Sequence, residues 1–176
     1  LKDLRKNIAL VPQEGYLFTS TLTENIRYGN PEASTRKVEE SAYEARMTED
    51  IKGFPDGLKT LVGERGITLS GGQRQRTALS RALLVDSKII VLDDALASVD
   101  NKTASAILQT IKRQFNKTVL MISHQLSAAA ACDRILVMNE GKIVQEGTHQ
   151  NLIMKDGLYK SMWEREKAKE RLQSDD

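Results

Sequence analysis

Apolar residues along the chain fall into two patterns. Short continuous runs occur at 8–11, 89–92 and 119–122. Each is too short for a helix, and Ile and Val recur in them, so they are predicted as strands. The runs at 89–92 and 119–122 are apolar at every position, as expected of strands buried on both faces of a parallel sheet. Elsewhere the apolar residues recur every three or four positions. Val38, Ala42 and Ala45 do so in a polar stretch at 31–54, where Ser34 or Thr35 can cap one helix and Thr48 a second, short one. Ala78, Leu79, Ala82 and Leu83 define a helical face over 73–85. Ala104, Ile107, Leu108, Ile111 and Phe115 do the same over 101–115. Pro55-Asp56-Gly57 is a turn, and 127–132 a small helical piece. Two strands at 135–138 and 142–145, joined through Asn139-Glu140-Gly141, read as a hairpin. Gly147-Thr148-His149 opens terminal helices in which Leu158, Met162 and Trp163 are expected to pack inward. His149 is expected at the surface, and the charged stretch from Glu164 onward should fray.

Composition narrows this α/β picture. The 176 residues suit one domain, or part of one. With 26 basic and 24 acidic residues the net charge is +2, so no nucleic-acid partner is implied. Cys132 is the single cysteine, which excludes an internal disulfide and suits a reducing compartment. No apolar run approaches the ~20 residues that span a bilayer, so any membrane association is expected to come through other segments or partners.

The chemistry concentrates at Leu69-Ser70-Gly71-Gly72-Gln73-Arg74-Gln75-Arg76. A serine at the cap and two glycines leave the first N–H groups of the following helix unobstructed. The positive end of the helix dipole there suits a phosphate. Ser-Gly-Gly alone would equally serve as a tight turn into a capped helix. The longer Leu-Ser-Gly-Gly-Gln with its Arg-Gln-Arg continuation resembles the signature motif of ATP-binding cassette (ABC) ATPases.

Other segments match that family in its order. Val11-Pro12-Gln13-Glu14-Gly15 and the following Thr23-Glu24-Asn25-Ile26-Arg27-Tyr28-Gly29 resemble the Q-loop region of exporter-type cassettes. The resemblance implies that Gln13 contacts Mg²⁺ and the attacking water. Thr60-Leu61-Val62-Gly63-Glu64-Arg65-Gly66 looks like the exporter X-loop, which, like the Q-loop, touches the transmembrane domains. The 89–92 run followed by Asp93 resembles Walker B, with Asp93 holding Mg²⁺ through water. Asp94 stands where most active members carry a glutamate that orients or deprotonates the hydrolytic water. Being one methylene shorter, it is expected to spare binding and weaken hydrolysis. Residues 94–100 resemble the D-loop, with Ala97 in place of the usual serine and Asp100 retained. His124 after the third strand resembles the switch histidine that bonds the γ-phosphate.

What the family implies follows from these matches. The fold class is α/β, a P-loop NTPase of ABC type, with a helical subdomain at about 30–68. The signature helix, Walker B, switch and C-terminal part span 69–163, followed by a charged tail at 164–176. The cofactors are ATP and Mg²⁺, with Ser70, Gly71, Gly72, Gln73 and Asp100 at the nucleotide, Asp94, His124 and Gln13 catalytic, and Asp93 and Gln13 at the metal. The partners are a second nucleotide-binding domain, in a heterodimer if Asp94 marks a degenerate site, and transmembrane domains that hold the chain at the cytoplasmic face of the cell membrane. No Gly-x-x-x-x-Gly-Lys-Ser/Thr loop occurs, so the chain is expected to be the C-terminal part of a longer, exporter-type half-transporter. By itself it should bind ATP poorly and expose apolar sheet surface. The rival readings are a non-hydrolysing regulatory nucleotide-binding module and a soluble cassette ATPase of DNA repair or chromosome organisation.

Overall fold

A computed structural model describes residues 1–64, 68–114 and 117–174. In chain order the elements are α1 (Lys2–Lys6), β1 (Ile8–Val11), β2 (Ser20–Thr21), α2 (Leu22–Arg27), α3 (Thr35–Glu44), α4 (Thr48–Gly53), a 3-10 turn (Gly57–Lys59) and β3 (Leu61–Val62). There follow α5 (Gly71–Leu84), β4 (Ile89–Asp93), α6 (Asn101–Gln114), β5 (Thr118–Ile122), α7 (Leu126–Ala129), β6 (Ile135–Asn139), β7 (Lys142–Gly147), α8 (His149–Ile153) and α9 (Leu158–Ser174). They group into two compact units, Leu1–His124 and Gln125–Asp176.

The first unit is built on a parallel sheet of order β1-β4-β5, the α/β arrangement expected. Ala9 pairs with Ile90 and Ile90 with Val119, while Leu10 pairs with Val91 and Val91 with Leu120. Because side chains alternate across a sheet, these rows lie on opposite faces. Ala9, Val11, Ile90 and Leu92 are buried in a core shared with Leu79 and Leu83 of α5 and Ile107 and Ile111 of α6. The other face is open. Leu10 is 58%, Leu120 54% and Ile122 50% exposed, while Ile89 and Val91 are half-buried. The expectation that 89–92 and 119–122 are buried on both faces is therefore corrected: helices of this unit cover one face only. The expected exposed apolar sheet surface is present. Phe115, assigned to the α6 face, lies outside the described residues.

α3 begins at Ser34, whose hydroxyl accepts the Lys37 N–H, and buries Val38 and Ala42, with Ala45 buried at its C-cap. Thr48 does not cap α4. Met47 holds the cap position without a side-chain bond, and Thr48 is the first helical residue. β2 and β3 form a two-residue antiparallel pair that the sequence pattern is too short to reveal.

In the second unit β6 and β7 pair as the expected hairpin. Glu140 and Gly141 both have positive φ, 49° and 74°, as a type I′ turn requires. Three expectations are corrected here. Leu158 and Met162 are exposed, and the inward positions of α8 and α9 are Leu152 and Tyr159, with Trp163 half-buried. His149 is half-buried rather than at the surface, because its Nδ1 lies 2.9 Å from the Tyr159 hydroxyl and its ring meets Trp163 edge-on. The charged stretch continues α9 to Ser174 instead of fraying. Its Glu166 accepts the N–H groups of Leu126 and Ser127 at 3.0 and 3.1 Å, satisfying donors that the start of α7 leaves open.

Candidate functional site

Two groups of site residues lie in the first unit, and different parts of the fold place them. Parallel registry brings Val11 beside Leu92 and Asp93 beside Ile122. Gln13, Asp93-Asp94 and His124 thus follow the C-terminal ends of three neighbouring strands. That edge is where ligands bind in open α/β sheets. Gln13 and His124 are exposed, and Asp93 and Asp94 half-buried. The Asp94 N–H donates to the Ile122 carbonyl at 2.9 Å, so its backbone is tied across the sheet end. Its φ is 46°, in the left-handed region that aspartate tolerates better than most residues. Its Oδ1 is buried and has no hydrogen-bond partner among the described residues.

The second group is the start of α5. Ser70 Oγ accepts the Gln73 N–H at 3.2 Å, and Gln73 Oε1 accepts the Ser70 N–H at 2.9 Å, a reciprocal capping box. That pair satisfies the third helical donor and leaves the N–H groups of Gly71 and Gly72 outside the helix's own ladder. Gln73 Nε2 donates to Asp50 Oδ1 at 3.1 Å, so the Gln73 amide serves the turn at both ends. Asp50 Oδ2 also takes Arg76 at 2.6 Å, with both side chains largely buried. Asp50, on α4, thus props the turn from behind. Asp50→Asn keeps the bond to Gln73 but removes the partner charge from a largely buried guanidinium. A loss of about 1.5–3 kcal/mol is expected, measured as a lower midpoint in chemical denaturation.

Sequence reasoning assigned the glycines to phosphate access alone; packing adds a second requirement. A Cβ on Gly72 would stand 2.8 Å from the Ser98 carbonyl oxygen, and one on Gly71 3.3 Å from Ser98 Cβ and Oγ. The glycines therefore also admit the 94–100 segment. Gln75, only 7% exposed, holds that segment, its Oε1 accepting the Ser98 N–H at 2.8 Å. Gln75 was overlooked because an amide inside a signature-like run gives no sign of its partner more than twenty residues away.

Gln13, Gly71, Arg74, Gln75 and Ser98 line one cleft of about 570 Å³. The structure thus brings Gln13 to the glycine turn, while Asp93, Asp94 and His124 are not among the cleft-lining residues. Asp100 caps α6, its Oδ1 accepting the Thr103 N–H at 2.9 Å, and that bond lowers its pKa. Among the described residues no set of three metal-ligating side chains exists. Asp93, half-buried at the sheet edge, is the type of oxygen ligand that a Mg²⁺ arriving with phosphates and water takes, since Mg²⁺ typically uses only one or two protein carboxylates.

Beside the Gln13 loop, Tyr16, Phe18 and Tyr28 form an exposed ring cluster, with centroids 5.3 and 4.8 Å apart. The Arg81 guanidinium lies 5.6 Å from the Phe18 centroid and 5.5 Å from that of Tyr28, and donates to the Tyr16 and Asn25 carbonyls, each at 2.9 Å. Burial lowers its pKa. Of the X-loop-like segment, Leu61 and Val62 form β3 and the Gly63 N–H donates to Thr68 Oγ1 at 3.2 Å. Arg65 and Gly66 lie outside the described residues.

Comparison with known proteins places this geometry. A family model described as ABC transporter matches residues 1–97. The chain is 43% identical over 167 residues to the probable multidrug resistance ABC transporter ATP-binding/permease protein YheI of Bacillus subtilis, covering 94% of this chain and 28% of that protein. It is 44% identical over 162 residues to the ATP-dependent lipid A-core flippase 1 of Colwellia psychrerythraea, covering 90% and 27%. A bacterial Atm1-family ABC exporter solved with ATP bound superposes with a TM-score of 0.90 at 38% identity, covering 94% of this chain and 29% of that one. The chain spans little more than a quarter of the length of these relatives. Both the family match and the superposition lead to one assignment: the chain belongs to the ABC transporter family, as an exporter-type nucleotide-binding domain segment with the P-loop NTPase fold of that family.

Proposed function

We propose that this chain forms part of the ATP-hydrolysing engine of a membrane exporter, working as one half of a pair of nucleotide-binding domains. The observation that carries the reading is the start of α5, where the N–H groups of Gly71 and Gly72 lie outside the helix's own ladder and Gly71 lines the cleft. In this reading Ser70, Gly71 and Gly72 face the terminal phosphate of an ATP seated in the partner domain, with Gln73 shaping the turn. Asp93 and Gln13 hold Mg²⁺ at this chain's own site. Bound Mg²⁺ supplies charge neutralisation to the phosphates. His124 donates a hydrogen bond toward the γ-phosphate, and Asp94 accepts one from the water. Asp100 closes the loop that runs from Asp94 by fixing the start of α6.

Aspartate in place of glutamate makes this the slower of two sites, which favours a heterodimer whose partner carries the glutamate. The ring cluster at Tyr16, Phe18 and Tyr28, together with the segment around Leu61–Val62, is the surface we assign to the transmembrane domains, at the cytoplasmic face of the membrane. Residues of about 30–68 act as the helical subdomain, which contributes the Leu61–Val62 part of this surface.

The test is a structure of the full-length protein, assembled with its partner and bound to ATP and Mg²⁺. The expected result places the Gly71 and Gly72 N–H groups on the terminal phosphate. A turn that faces away from the triphosphate would overturn the reading and leave the family assignment alone.

A further inference from the structure

Asp50 lies outside every motif, yet it ends a chain of bonds that reaches the turn at 70–72. Its Oδ1 accepts Gln73 Nε2 at 3.1 Å, and the other end of the same amide, Oε1, accepts the Ser70 N–H at 2.9 Å. An amide can present either its oxygen or its nitrogen to a given neighbour. A carboxylate paired with a guanidinium only accepts, so Asp50 takes the nitrogen and leaves the oxygen for Ser70. The Ser70 hydroxyl oxygen accepts the Gln73 N–H at 3.2 Å, which keeps the hydroxyl hydrogen for another acceptor. Asp50 Oδ2 accepts from Arg76 at 2.6 Å, and a further nitrogen of that guanidinium, Nη1, lies 3.3 Å from where a Cβ on Gly72 would stand. One carboxylate therefore holds both the side chain behind Gly72 and the side chain that caps the turn. Asp50 itself is well anchored. It is largely buried, and Met47, three residues earlier, is fully buried with its sulfur accepting the Thr77 and Ser80 hydroxyls of α5 at 3.8 Å each.

We propose that Asp50 is a positioning residue for ATP turnover, acting through the orientation of the Gln73 amide. This rests on the reading that the turn at 70–72 meets a phosphate. With the amide reversed, its NH2 would face the Ser70 N–H, two donors would oppose each other, and the reciprocal cap would open. The Ser70 backbone would lose the bond that fixes it. The hydroxyl and N–H groups beside it would then no longer be held in place when a phosphate arrives, and a misplacement of about 1 Å can cost 10²-fold. Asp50 touches no nucleotide in this arrangement; it acts only through Gln73 and Arg76.

Variants of the full-length protein, assembled with its partner, test the direction of the bond. Turnover is measured against ATP concentration, and each rate is divided by the folded fraction from chemical denaturation. Residues in contact commonly couple by about two- to 150-fold, so Asp50→Leu, which removes both acceptor oxygens, is expected to lower kcat about tenfold with KM within about twofold. Asp50→Asn can still accept from Gln73, and its kcat per folded molecule should stay within about twofold of wild type although its stability is lower. Gln73→Glu sets carboxylate against carboxylate and should lower kcat about tenfold. Combining it with Asp50→Asn reverses the bond: the new amide donates to the new carboxylate, whose other oxygen still accepts the Ser70 N–H. That double variant should turn over at least about fivefold faster than Gln73→Glu alone. If Asp50→Leu does not fold, Gln73→Glu with and without Asp50→Asn gives the same reading. A merely structural role predicts an unchanged rate per folded molecule in Asp50→Leu. That result, or a double variant no faster than Gln73→Glu, overturns the role of Asp50. Ser70→Ala separates this from the reading beneath it. Reduced turnover in Ser70→Ala keeps the phosphate reading whatever the Asp50 variants show, whereas wild-type turnover there overturns both.

Discussion

Asp94→Glu in the full-length protein, assembled with its partner, is expected to raise ATP turnover at this chain's own site by about 10²-fold, the lower end of what a well-placed general base contributes. The backbone at this position is tied to Ile122 across the sheet end, so the reach of the carboxylate is set by side-chain length and not by movement of the strand. Oδ1 of Asp94 is buried with no hydrogen-bond partner among the described residues, so none of them holds that oxygen away from a water. In the reading proposed above, the extra methylene carries the carboxylate outward to the position of the hydrolytic water. A cost accompanies the gain. At φ 46° glutamate is less at home than aspartate, and about 1 kcal/mol of stability should be lost, seen as a melting temperature lower by a few degrees. Single-turnover hydrolysis, with the glutamate proposed for the partner's site replaced, isolates this site. A rate no faster than that of wild type would show that geometry at Asp94 does not limit it.

Gly72→Ala should abolish most of the activity of the assembled protein, lowering turnover about 10²-fold. The new methyl would sit 2.8 Å from a main-chain oxygen, at Ser98, which cannot rotate aside. Either the start of α5 retreats or the 94–100 loop does. In the proposed reading both movements displace a group that meets a phosphate or a water, and a misplacement of about 1 Å can cost 10²-fold. Gly71→Ala provides the contrast. Its methyl meets Ser98 Cβ and Oγ at 3.3 Å, a contact that the Oγ rotamer and a shift of a few tenths of an ångström relieve, so a smaller loss is expected. Steady-state hydrolysis and ATP-dependent pairing of the two domains, measured side by side, separate the variants. Wild-type turnover in Gly72→Ala would mean that α5 and the loop are not packed this way in the working assembly.

Where sequence reasoning succeeded, it did so because the governing interactions are local. The cap at Ser70 stands directly before the helix it starts, so it can be seen in the chain, although the reciprocal bond from Gln73 emerged only from the structure. The hairpin at β6 and β7 is announced by Glu140-Gly141, and the cap at Ser34 by the residues next to it. Helical faces such as Val38 and Ala42, or Ala78 and Leu79, follow from spacing alone, since a helix repeats on a fixed period whatever it packs against.

Where it failed, the missing quantity was another element's position. An all-apolar run at 119–122 predicts burial, yet half of its residues face outward, because covering a sheet face depends on which other segments lie over it. Leu158 and Met162 are apolar and exposed, whereas Tyr159 is buried in a cluster with Leu126, Ile135, Val137 and Leu152 that other elements supply. His149 lies outside every motif and still finds a partner, the Tyr159 hydroxyl, supplied by the next helix. Glu166 reads as one more charge in a polar tail until its carboxylate is seen on the first donors of α7.

By itself, then, the order of residues determined the starts of α3 and α5, the three strand runs of the parallel sheet, the hairpin turn and the family to which the chain belongs, since each of these is written in neighbours along the chain. Only the tertiary structure decided that Gln75 and Gly72 serve Ser98, that Asp50 braces the signature turn, and which face of the sheet is left open. These depend on which distant backbones come within hydrogen-bonding or van der Waals distance, and that is set by the joint packing of β4, α5 and their neighbours, not by any single stretch of the chain.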